Sequence, residues 1–192
     1  MFSPPRSSPF SQTGLSLLEA AIILAITGLV LGGIWTAATS VTFNRQINAT
    51  VGDMIQITQN IRVLYRNQSQ FSGTSGFTTG NNITSKMLDM NVVPDSLIDP
   101  NSTTTLRTPW KTPLVIQVGS TLRTFEINFR ATLPTDVCLA LVSRSIGPMR
   151  DKGLTGITVN GTTYSGSNLN DLTTSTLGGN CSSITFDLKL KG

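Results

Sequence analysis

The chain has no histidine and only two cysteines among 192 residues. The first absence excludes imidazole-based catalysis, and two thiols are too few soft ligands for a four-coordinate zinc site. Charge is also scarce: Asp, Glu, Lys and Arg make up 12% of the chain. The formal charge is +4 and the pI about 9.4, yet the basic residues are scattered. No run of Lys or Arg marks a nucleic-acid patch, so they read as a solvated surface and no specific nucleic-acid partner is expected. The ten acidic residues are spread singly, with no carboxylate pair, nucleophile motif or phosphate-cradling loop. No enzymatic activity, catalytic residue, metal or cofactor is therefore expected.

What is present is one long apolar run. Between Arg6 and Arg45 the only ionisable side chain is Glu19, and proline is missing between residues 10 and 93. A helix over residues 15–43 would be about 43 Å long at ~1.5 Å per residue, enough for a bilayer core. A carboxylate within it costs on the order of 2.5 kcal/mol or more, which calls for a polar partner or a place at the headgroup boundary. Residues 1–14, rich in Pro and Ser, have neither periodicity nor apolar bulk and read as a leader. An ordinary secretory signal, cut after Thr36-Ala37-Ala38, is the competing reading. Gly28, Gly32 and Gly33 soften the helix, or let another helix pack closely against it. Arg6 against Arg45 supplies a thin positive-inside bias.

Beyond Phe43 the pattern turns amphipathic. Ile47, Val51, Met54, Thr58, Ile61 and Tyr65 recur at three and four residues, while Arg45, Asp53, Gln56, Arg62 and Arg66 intervene. The apolar and amphipathic halves form one helix over residues 15–68, and a coiled coil is the weaker reading because the heptad lasts under three repeats. Residues 69–113 are loop-like, with a short helix expected over residues 85–90 that buries Met87, Leu88 and Met90. Strands are expected at Leu114, Ile116 and Val118, then at Phe125, Ile127, Phe129 and Ala131, joined through Gly119-Ser120. A helix over residues 136–146 follows, with Cys138, Leu141 and Val142 on one face. Asn160-Gly161 signals a hairpin within residues 156–164, and a last strand over residues 183–191 turns Ile184, Phe186, Leu188 and Leu190 inward. Cys138 and Cys181 either form a bridge, worth ~4 kcal/mol on the chain-entropy model if this part is exported, or stay as buried thiols.

Gly14 directly before the apolar helix, with Glu19 four residues beyond Leu15, resembles the class III signal of type IV prepilins and pseudopilins. The resemblance implies cleavage by a prepilin peptidase between Gly14 and Leu15, with Leu15 becoming the N-methylated first residue. Gly14 suits that step because a residue without Cβ lets a protease approach the backbone. A first residue of Leu and a leader of 14 residues look like the type IVb branch. The stretch Thr108-Pro109-Trp110-Lys111-Thr112 is similar to the Asn-Pro-Trp-Gly-Gly turn of type IVb pilins related to thin conjugative pili, with the glycine pair replaced. Many pilins carry a proline in the apolar helix where a short segment melts on assembly, and this chain has none there.

The fold implied is α+β: a long N-terminal helix packed on an antiparallel sheet, with a disulfide-bounded D-region between Cys138 and Cys181 that displays the partner-facing surface. The implied organisation is a leader (1–14), a transmembrane and polymerisation helix (15–43), its amphipathic half (44–68) and a globular head (69–192). In the family the Glu at the position of Glu19 pairs with the amino terminus of a neighbouring subunit and sets the axial register. The implied function is a structural subunit of a IVb-like pilus used for adhesion, aggregation or conjugative contact. A minor pilin or type II secretion pseudopilin is the alternative, and a membrane-anchored binding domain that never polymerises is the third. The implied partners are identical subunits, the prepilin peptidase, the inner-membrane assembly machinery and a host or recipient cell surface. The implied location is the inner membrane, with the head outside the cytoplasm, and then the extracellular pilus.

Overall fold

The computed structural model describes residues 16–71, 77–102, 104–172 and 181–191. The chain divides into two compact units, Met1–Phe43 and Asn44–Gly192. Helix α1, Leu17–Leu64, runs through both.

In the first unit α1 has no polar face, so no side of it is selected for burial. Leu17, Leu29 and Trp35 are 89%, 79% and 74% exposed. The few polar groups are satisfied within the helix: the Thr36 hydroxyl donates to the Gly33 carbonyl at 2.9 Å, and Thr39 and Thr42 donate to Thr36 and Ala38 at 2.9 Å. Thr27 bonds the carbonyl of Ile23 in the same way. This helix is long and apolar enough to cross a membrane.

In the second unit the amphipathic pattern decides burial. Ile47, Met54, Ile57, Thr58 and Ile61 are fully buried, and Val51 and Tyr65 nearly so. Polar contacts clamp this half of the helix at three levels. Arg144 donates to Asn48 Oδ1 at 2.9 Å and to Asn44 Oδ1 at 2.5 Å. Asn60 donates to the Val92 carbonyl at 2.8 Å, and Arg62 to the Leu190 carbonyl at 3.3 Å. The helix ends at Leu64, four residues short of the expected limit, and the chain turns through Tyr65 to Asn67. Tyr65, Phe71 and Phe77 then close over that end, with Tyr65–Phe71 and Phe71–Phe77 centroids 4.8 and 5.3 Å apart.

A helix α2, Thr84–Asp89, and a 3-10 turn, Asp95–Leu97, precede the sheet. Helix α2 buries Met87 but leaves Leu88 half-buried and Met90 43% exposed, because the helix ends at Asp89 and its buried face is the one that carries Thr84 and Met87. The sheet contains β1 (Leu106–Arg107), β2 (Pro113–Val118), β3 (Thr124–Phe129), β4 (Leu154–Val159), β5 (Thr162–Ser165) and β6 (Ile184–Lys189). Its order is β1-β2-β3-β6-β4-β5, antiparallel throughout. The C-terminal strand is thus inserted between β3 and β4.

Alternation turns one face inward, and the register aligns it across four strands. Ile116, Ile127, Phe186 and Ile157 form one row; Leu114, Phe129, Ile184 and Val159 form another; and Val118, Phe125, Leu188 and Leu154 form the third. All twelve are buried. Strand β3 stops at Phe129, so Ala131 lies outside it. β4 and β5 form the Asn-Gly hairpin, with Asn160 at φ 52° and Gly161 at φ 82°, the left-handed pair that a two-residue type I′ turn requires.

Helix α3, Thr135–Arg150, runs four residues further than expected. It continues through Gly147 and Pro148 because fully buried Met149 anchors the last turn, and tertiary burial outweighs the backbone bond that proline cannot make.

Candidate assembly helix and displayed head

Of the expected processing and assembly residues, Gly14 and Leu15 lie outside the described residues. Glu19 is described, in the first turn of α1. The Ser16 amide donates to Glu19 Oε2 at 2.8 Å, and the Glu19 amide donates to Ser16 Oγ at 3.2 Å. This reciprocal arrangement is a capping box. Glu19 is therefore placed where the helix dipole favours an anion and where backbone donors are otherwise orphaned. A carboxylate accepts more than one hydrogen bond, so the Ser16 contact leaves Glu19 capacity for a further donor. The Ser-x-x-Glu spacing at residues 16–19 signalled this cap in the sequence, and the sequence reading passed over it.

The apolar half of α1 offers small-residue positions alongside. A Cβ built on Gly28, Gly32 or Gly33 meets nothing within 4 Å. Each could take a side chain, so no contact among the described residues requires glycine there.

Cys138 and Cys181 are bonded to each other, with Cα atoms 6.2 Å apart, and both are buried. The bridge joins the first turns of α3 to the entry of β6, and the Leu133 amide donates to the Cys181 carbonyl at 2.9 Å beside it. The free-thiol alternative is excluded. The segment so closed holds α3 and the β4–β5 hairpin, while the polar loop of residues 173–180 lies outside the described residues. β5 is a short edge strand of polar residues with no buried position.

The turn at Thr108–Thr112 shows how the chain manages without the glycine pair. Lys111 takes φ 62°, the left-handed region where glycine is favoured. The turn is closed by the Thr112 amide on Thr108 Oγ1 at 3.2 Å and the Thr108 amide on the Thr112 carbonyl at 3.0 Å.

The outward face of the sheet carries what sequence reasoning missed. Glu126 and Asp187 are directly opposed on β3 and β6, and Gly156 opposes Asp187 on the other side. Gly156 has no side chain, so a hollow of about 440 Å³ opens there, lined by the two carboxylates and by Thr155, Thr158, Thr163 and Ser165. Burial, reinforced by the Glu126 charge, pushes the Asp187 carboxyl up to about 6. Gln117 bonds Glu126 and accepts from Arg130 at 2.9 Å, which ties this pair to the opposite end of β3. Burial also raises Asp53, with a partly offsetting hydrogen bond from Ser96. Among the described residues no group of three or more His, Cys, Asp or Glu could hold a metal ion.

A long helix that is apolar for half its length, an antiparallel sheet and a disulfide-closed C-terminal segment together define the type IV pilin class. The family model described as Bundlin matches residues 39–187, and the chain belongs to that type IVb pilin family. Among solved structures, the type IV b pilin from Salmonella typhi matches with 18% identity and a TM-score of 0.49, covering 76% of this chain and 99% of that one. A search of curated proteins finds no match. As a pilin the chain is a structural subunit and not an enzyme.

Proposed function

We propose that this pilin is the major subunit of a type IVb-like pilus, cut between Gly14 and Leu15 by a prepilin peptidase and methylated at Leu15. It then polymerises through the apolar half of α1 into an extracellular filament, with the inner-membrane assembly machinery as its partner during extrusion. The observation that carries this reading is the exposed apolar surface of residues 17–42, interrupted by one carboxylate in the first turn. Such a surface needs a bilayer before assembly and the helices of other subunits after it. In the filament Glu19 accepts from the new amine of a neighbour's Leu15, which fixes axial register where apolar packing alone would not. The heads coat the fibre and meet the host or recipient surface.

Mass spectrometry of sheared surface fibres tests this. The expected result is an abundant peptide that begins at Leu15 and carries one added methyl group. The same peptide in trace amounts beside another major subunit would favour the minor-pilin or pseudopilin alternative. An intact Met1 terminus, or a soluble product trimmed after Ala38, would overturn both.

A further inference from the structure

Five of the fourteen Lys and Arg residues that look scattered along the chain meet at one end of the head. Where β3 begins and β6 ends, Arg123, Lys189 and Lys191 line a single hollow of about 390 Å³, together with the hydroxyls of Ser69, Thr121 and Thr124. Lys189 also lines a second hollow, of about 580 Å³, with Arg150, Thr155 and Ser167 and the apolar Leu154 and Leu169. The backbone is fixed beneath them: the Leu190 amide donates to the Arg123 carbonyl at 2.9 Å, and the Lys189 amide to the Gly153 carbonyl at 2.9 Å. Arg62 reaches the same place, donating to the Leu190 carbonyl. Arg123, Lys189 and Lys191 are solvent-exposed, and no carboxylate of the described residues lies within ion-pair distance of them.

We propose that this end of the head is a docking surface for an acidic polysaccharide. Anionic groups of successive sugar units seat on Arg123, Lys189 and Lys191, while ring hydroxyls meet the Ser and Thr side chains that line both hollows. Two adjoining hollows that share one lysine suit a narrow, linear chain with regularly spaced charges. Nucleic acid fits less well. Among the described residues no aromatic side chain lines either hollow, so they offer no stacking platform of the kind that single-strand binders use. The Glu126 and Asp187 carboxylates border both hollows, through Thr124 and Thr155, and repel any polyanion broad enough to reach them. The surface belongs to the head, and its test does not depend on polymerisation.

The experiment is titration of the full chain, in detergent, with heparin oligosaccharides and separately with length-matched duplex DNA, at rising salt. Heparin is expected to bind more tightly than the duplex and to release as salt rises. Arg123→Ala, Lys189→Ala and Lys191→Ala should each weaken heparin binding roughly two- to fivefold, and the triple variant should abolish it. Lys111→Gly removes an equal charge at the other end of the sheet, in a conformation that glycine accepts, and should leave affinity unchanged. Thermal unfolding of each variant confirms that the head is intact. The proposal is overturned by absence of heparin binding, by tighter binding of the duplex through the same residues, or by a Lys111→Gly loss equal to that of Lys189→Ala.

Discussion

Ile26 and Ile57 are the same residue on the same helix, yet Ile26 is 60% exposed and Ile57 is fully buried. Their neighbours make the difference. Around Ile57, polar residues leave one apolar stripe that the sheet's inner face and the loop before it can cover. Around Ile26 every side is apolar, and a helix apolar all round finds its medium outside its own chain. Burial in the head is a property of the subunit, whereas burial of the apolar half is a property of whatever surrounds it. Glu19 belongs to the second regime, because the Ser16 contact alone leaves its carboxylate exposed.

That contrast can be broken at four points. The largest effect is expected at Glu19: if its carboxylate meets a partner amine in the filament, Glu19→Ala leaves that amine as an uncompensated buried charge, at a cost of about 3–5 kcal/mol. Filament yield should then collapse while export and processing persist, and normal yield of sheared fibres from this variant would remove Glu19 from assembly. Next comes the bridge. Replacing both Cys138 and Cys181 with Ser should lower head stability by about 4 kcal/mol, read as a shift in the urea unfolding midpoint. An unchanged midpoint would mean that α3 and β6 hold together without it.

The third test uses the isoleucine pair itself. Ile57→Ala should cost about 2–4 kcal/mol of head stability through the cavity it leaves, while Ile26→Ala should cost the head nothing. Equal losses from both would show that the two halves share one cooperative core.

The smallest effect concerns pH. The folded protein holds the proton on Asp187 up to about 6, against 3.8 for the ordinary carboxyl. Between those two values the native state binds more protons than the unfolded chain, so stability falls as pH rises and levels off above about 6. With allowance for the screening of a partly exposed group, the drop is ~1 kcal/mol. Asp187→Asn should flatten that slope, and a slope that survives the substitution would assign it to another group.

The elements that could be read from the sequence are those whose signal is local. The stripe from Ile47 to Tyr65, the alternation of Phe125, Ile127 and Phe129, and the Asn160-Gly161 turn each follow from a backbone period or a φ requirement within a few residues. Gly14 and Glu19 carried the family resemblance because their spacing along one helix start is equally local, and the Bundlin match over residues 39–187 rests on the rest of the chain. Element ends were less legible. Buried Met149 carries α3 past Pro148, and the turn at Tyr65 stops α1 where Phe71 and Phe77 can cover it.

Sequence by itself determined the long apolar helix, its amphipathic continuation, most of the strands and the two cysteines, because hydrophobic period and residue chemistry act over neighbouring positions. Only tertiary structure decided that β6 enters between β3 and β4, since strand pairing joins residues some sixty positions apart, as Ile127 and Phe186 are. From that one insertion come the opposed Glu126 and Asp187, and the convergence of Arg123 with Lys189 and Lys191. No count or spacing along the chain could bring those charges together, because electrostatics depends on distance through space, and the fold sets that distance.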